Sequence, residues 1–181
     1  MGAILTIIGT SLLSLPLPFN PVQLLWLNIV MDGPPAQTLG IEGAERDLME
    51  RPPENGDILT KKTLLEILIS GIVMAIGTIA VFSYQLSIGT GEKKAMTVAF
   101  TLFVMYQLFN AYNRKADSDK RSTYLYLAIL LSFVLQLLII YLPQLQIIFR
   151  TTSIDPIDWA MILIISFTII IAEKAMKRVI K

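Results

Sequence analysis

The sequence predicts an all-α fold, a polytopic bundle of membrane-spanning helices forming a single domain over residues 1–181. Three observations predict it. Hydrophobic residues make up 54% of the chain and charged residues only 16%, where soluble domains carry about 25% charged residues. The charges collect in short clusters between long apolar runs, the pattern of repeated membrane crossings. The basic residues also alternate between successive connections, as the positive-inside rule requires.

Six apolar stretches are the expected helices: 2–15, 21–39, 63–86, 95–113, 124–142 and 156–173. A helix crosses a hydrocarbon core of about 30 Å with about 20 residues. The last five stretches satisfy that length. The first reaches only about 21 Å before Pro16 and Pro18, and is expected to be the second half of a longer helix. Met1 opens an apolar run with no basic region and no small-residue cleavage site, so a signal peptide is not expected.

The Lys/Arg distribution orients the bundle. Four lie in 40–62, four in 114–123 and four after Glu173, against none in 16–20, two in 87–94 and Arg150 alone in 143–155. Twelve of the 15 therefore share one side, which the rule makes cytoplasmic together with the C-terminus. The connection 40–62 is the long one, rich in turn formers and in charges of both signs, and is the expected docking loop for another domain. Tyr84, Tyr124, Tyr126, Tyr141 and Trp159 lie near stretch ends, where aromatic belts form, whereas Trp26 lies deeper and is expected to pack.

Cysteine and histidine are both absent. Disulfides, thiolate chemistry, imidazole bases and the usual zinc sites are thereby excluded within this chain. What remains for chemistry is oxygen. Asn28 and Asp32 stand one helical turn apart near the middle of the second stretch. A carboxylate at that depth costs several kcal/mol unless it is paired, protonated or bound to a cation. Gly33, Pro34 and Pro35 follow at once, and proline lacks the N–H that an upstream carbonyl would use. Irregular backbone inside a membrane is tolerated where it is buried in protein or lines a cavity. The carboxylate of Asp32, the amide of Asn28 and the carbonyls of Val30 and Met31 thus form an oxygen-rich half-site suited to a hard cation. The bland alternative is an aspartate that joins helices in protonated or salt-bridged form.

Other polar positions read more simply. Gln107 and Asn110 form an i, i+3 pair expected to hydrogen-bond between helices, with a minor ligand role for Gln107 as the alternative. Gln136 is similar. Gly71 and Gly77 are expected to permit close helix contact, and Glu66 and Glu173 to reach water at cytoplasmic helix ends. Asp155, Pro156 and Asp158 mark a helix start.

"PVQLLWLNIVMDGPPAQTLGIE" closely resembles the sixth transmembrane segment of P-type ATPases of the calcium-pump class. "RDLMERPP" resembles the loop that follows it there, "YQLFNAYN" the eighth segment and "DWAMILIISFTIIIAEKAMKR" the tenth. The resemblance covers essentially the whole chain. It implies half of segment five plus segments six to ten, and an activity of ATP-driven export of Ca²⁺, with Mn²⁺ as a further cargo. It assigns Asn28 and Asp32 to ion-coordinating positions. The second ion site of the sarco-endoplasmic reticulum pumps would fall on Ala3, Met31 and Gln107, which lack the acids and hydroxyl of that site. The chain therefore resembles the one-site, secretory-pathway Ca²⁺/Mn²⁺ type. A methionine thioether in place of a hydroxyl suits the softer Mn²⁺.

The chain has no DKTGT phosphorylation motif. Mg²⁺ and ATP would enter through domains outside it, so this region alone is expected to be inactive. The expected partners are the lipid bilayer and the N-terminal part of the pump, with actuator, phosphorylation and nucleotide-binding domains and segments one to five. Nucleic acid is not an expected partner. A prokaryotic plasma membrane is expected from the tight loops and the missing cysteine. The alternative reading is a free-standing, non-catalytic membrane protein, either a cation pathway or a regulatory partner of a pump. A secondary transporter coupled through protonation of Asp32 would need inverted repeats, and none is visible.

Overall fold

The computed structural model describes residues 1–31, 33, 61–113 and 123–179. Asp32, residues 34–60, 114–122 and the last two lie outside these, and with them the second half of the stretch expected at 21–39 and most of the connection expected at 40–62. The described residues are helical, with no strand among them. In chain order the helices are α1 (Gly2–Leu12), α2 (Pro21–Trp26), a π-helical turn (Leu27–Met31), α3 (Lys61–Ser87), α4 (Glu92–Asn113), α5 (Thr123–Tyr141), α6 (Pro143–Phe149), α7 (Pro156–Ser166) and α8 (Thr168–Val179). Four of the described segments are long and apolar enough to cross a membrane: Thr63–Ser87, Glu92–Asn113, Tyr124–Tyr141 and Pro156–Met176. The protein is an all-α, multi-pass membrane bundle.

α4 is the axis. Every residue from Thr97 to Tyr106 is buried, and α4 packs on α3, α5, α7 and α8. A helix apolar on all sides belongs in the middle of a bundle. The helices around it carry their apolar residues outward as well: Ile76, Leu130, Leu131 and Ile164 are all exposed, an arrangement that lipid solvates. Several hydroxyls in the apolar interior bond back to their own helix, Thr6 to the carbonyl of Gly2 at 2.9 Å and Thr101 to that of Thr97 at 2.8 Å, which satisfies their donors.

Small residues set the closest approaches. A Cβ on Gly77 would collide with the Tyr106 hydroxyl, and one on Gly71 would meet Leu5 Cδ1 at 3.4 Å and the backbone nitrogen of Gly2 at 3.5 Å. Both glycines therefore allow the close contact their spacing suggested. Gly89 and Gly91, at φ 73° and 90°, make the tight turn between α3 and α4.

The structure departs from the sequence reading in four places. The second stretch is α-helical for only six residues before its π-helical turn. The connection 143–155 contains a helix, α6, started by Pro143 at its first position and stopped by Arg150 in the left-handed region at φ 52°. The last stretch is interrupted at Phe167, where Ser166 and Thr168 turn their hydroxyls onto the carbonyls of Leu163 and Ile165 at 3.0 and 2.7 Å, a bonding pattern that bends helices. Glu173, expected to reach water, is only 8% exposed. It shares a helix face with buried Ile169 and Met176, four residues before and three after it.

Candidate functional site

The segment that carries Asn28 is built from its start. Asn20 is extended (φ −87°, ψ 165°) and caps α2. Its Oδ1 accepts from the Gln23 backbone N–H at 2.9 Å, and the Asn20 N–H donates to Gln23 Oε1 at 3.1 Å. This reciprocal pair is a capping box, and Pro21 fills the first helical position, where no N–H is needed.

After Trp26 the α-helical register ends. Leu27–Met31 form a π-helical turn, with Leu27 buried at 2% exposure, and the turn packs against α4. Single π turns are rare and occur frequently at functional sites. Asn28 stands on this turn with an exposed side chain, so its amide faces off the bundle formed by this chain rather than into its core. Val30 and Met31 complete the turn. Had the helix stayed α-helical, their carbonyls would have needed the N–H groups of residues 34 and 35, and both are proline. Asp32 lies outside the described residues. Among the described residues no three carboxylates, histidines or cysteines come together.

Gln107 and Asn110 meet in a different place. They line a pocket of about 100 Å³ with Met1, Gly2, Ile67, Ser70, Gly71 and Met74, and Asn28 is not among its walls. The Ser70 hydroxyl beside them is buried without a hydrogen-bond partner. Ala3 packs against the apolar core.

A second polar cluster joins the opposite ends of α3, α4 and α7. Lys94 Nζ lies 2.5 Å from Asp155 Oδ2 and 3.0 Å from Asp158 Oδ2, and Gln85 Nε2 donates to Asp158 Oδ1 at 2.6 Å. Asp155 is the N-cap residue of α7, as its position before Pro156 suggests, but its carboxylate is spent on Lys94 rather than on the cap. This cluster holds helices together. Asn20 and Gln23 also take on a role that the sequence reading missed, although the Asn-Pro-x-Gln spacing before an apolar run was the signal for a capped helix start.

The family profile described as "Cation transporting ATPase, C-terminus" matches residues 16–179. Over 98% of its length the chain is 37% identical to the mouse "Calcium-transporting ATPase type 2C member 1" and 35% identical to the mouse "Calcium-transporting ATPase type 2C member 2". Over its full length it is 32% identical to "Calcium-transporting ATPase 1" of Yarrowia lipolytica. In each case it spans about a fifth of the relative's length, 20%. These relatives are eukaryotic and lend no support to the prokaryotic plasma membrane expected from the loops.

Proposed function

This chain belongs to the cation-transporting ATPase C-terminus family, and from that membership we propose that it is the C-terminal membrane part of an ATP-driven pump. The pump exports Ca²⁺ from the cytosol, with Mn²⁺ as a second cargo, through a single intramembrane site to which this chain contributes Asn28 and Asp32. The remainder of the pump supplies the nucleotide-binding and phosphorylation chemistry and the other ligands of the ion. The long 40–62 loop transmits movement between the two parts, and the basic connections and the C-terminus face the cytosol.

One observation carries this reading. The helix abandons α-geometry at Leu27–Met31, immediately before Asp32 and the Gly-Pro-Pro run. A membrane helix that gives up regular hydrogen bonding beside a carboxylate presents oxygen atoms to a cation. The exposed Asn28 leaves the site open toward ligands from the missing part. The names of the relatives support Ca²⁺ as the cargo. The absence of acids at Ala3 and Gln107 and of a hydroxyl at Met31 supports one site rather than two.

The role of Asp32 is tested in the full-length pump by Ca²⁺-dependent phosphorylation from ATP. Asp32→Ala is expected to raise the half-saturating Ca²⁺ concentration at least about 100-fold, the equivalent of about 2.7 kcal/mol. An unchanged Ca²⁺ dependence would remove Asp32 from the site.

A further inference from the structure

We infer that α6, the short helix between α5 and α7, clamps the cation-bearing helix in place, and that Asn20 and Gln23 are positioning residues for the site. The inference rests on the reading that Asn28 and Asp32 hold the cation.

The clamp closes on one atom. Asn20 Nδ2 donates to the carbonyl oxygen of Phe149 at 2.8 Å, and Gln23 Nε2 donates to the same oxygen at 3.1 Å. All three residues are buried. The two amide oxygens are already engaged in the capping box of α2. Each side chain therefore builds α2 with its oxygen and ties α2 to α6 with its nitrogen. Phe149 is the last residue of α6, and a carbonyl at a helix C-terminus lacks an intrahelical partner and carries part of the dipole's negative charge. Its two lone pairs accept both amides. The Phe149 ring meets Trp26 edge-on, with centroids 5.2 Å apart, so the contact extends to the last α-helical residue before the π turn.

α6 and the residues just after it are fixed to the bundle. Gln146 Nε2 donates to the Ile140 carbonyl at 2.5 Å and Thr151 Oγ1 to that of Ile139 at 2.7 Å, both on α5. The Thr152 N–H donates to Thr97 Oγ1 on α4 at 3.1 Å. The six α-helical residues of α2 are thus tied to α4 and α5 through α6. Asn28 begins two residues beyond Trp26, on the π turn. The clamp sets where that turn starts and how it is rotated, and leaves the turn as the segment that adjusts when an ion binds or leaves.

The test uses the full-length pump and the Ca²⁺ dependence of its phosphorylation. Asn20→Ser keeps a capping oxygen but has no nitrogen for Phe149. It is expected to raise half-saturating Ca²⁺ by about fivefold, the equivalent of about 1 kcal/mol, with the maximal phosphorylation level retained. Combined with Asn28→Ala it is expected to add less than its own separate shift, because the clamp acts on the turn that carries Asn28. If Asn28→Ala shifts the curve while Asn20→Ser does not, the clamp is wrong and the cation reading stands. If Asn28→Ala has no effect, the cation reading fails and the clamp fails with it. A lowered maximum at unchanged half-saturation, or an additive double variant, assigns Asn20 a merely structural role and overturns the inference. Should Asn20→Ser fail to accumulate, Gln23→Glu keeps an oxygen for the capping box and removes the nitrogen that donates to Phe149. It is expected to shift half-saturation upward by about fivefold, and no shift overturns the inference.

Discussion

Tyr106 shows how much one hydroxyl decides. It is fully buried on α4, lies against Gly77 of α3 and meets Thr168 Oγ1 of α8 at 3.2 Å. Any side chain at residue 77 forces that hydroxyl away from its partner. Gly77→Ala is expected to cost about 1–3 kcal/mol, read as earlier loss of folded protein on heating in detergent. Lys94 is a second such residue. Asp158 keeps only 10% of its side-chain surface and sits between Lys94 and Gln85. Lys94→Met strands that carboxylate and is expected to cost about 2 kcal/mol, below the range for a fully dry pair because Lys94 keeps some water. Adding Asp158→Asn is expected to recover most of that loss in the same assay. At this scale the sequence revealed the close-approach glycines and the start of α7. It did not reveal the ion pairing of Asp155 and Asp158, because Lys94 is about 60 positions away and spacing carries no information about such partners. Asn28 was legible as a polar residue in an apolar run, whereas Asn20 and Gln23 passed as ordinary loop and helix residues.

Among the elements, the π turn matters most. It follows a well-capped α-helix and precedes two prolines, so the departure from α-geometry lies between a fixed start and a run that cannot donate. Replacing both prolines, Pro34→Ala with Pro35→Ala, restores two N–H donors. The double variant is expected to favour a regular helix and to raise half-saturating Ca²⁺ at least about tenfold, or about 1.4 kcal/mol, in the phosphorylation assay. The prolines announced a break, but the π register began five residues before Asp32, since "LLWLNIVM" differs in no composition from an α-helical run. α6 escaped notice for a related reason. Its seven residues are too few for a span and follow the apolar end of α5 directly. The interruption at Phe167 is hidden inside a continuous apolar segment, where only Ser166 and Thr168 hint at it.

For the whole molecule, membrane class and the four described spans were readable because about 20 apolar residues per crossing is a constraint the bilayer imposes on any chain. Packing order was not readable. That α4 forms the axis follows from which apolar faces meet, and a helix buried on all sides looks like one facing lipid when only composition is seen. Orientation rests on the twelve basic residues of one side. It predicts that, with other cysteines removed, Ser118→Cys in the full-length pump is labelled by an impermeant thiol reagent only from the cytosolic side and Ser153→Cys only from the opposite side. The reverse pattern would invert the bundle.

A single cation site to which this chain gives Asn28 and Asp32 is open to test by equilibrium binding of radioactive Ca²⁺ to the purified full-length pump and its Asp32→Asn variant. One Ca²⁺ bound per pump is expected, and none at the same concentrations after the substitution. Two ions per pump, or one ion still bound by the variant with unchanged affinity, would contradict it.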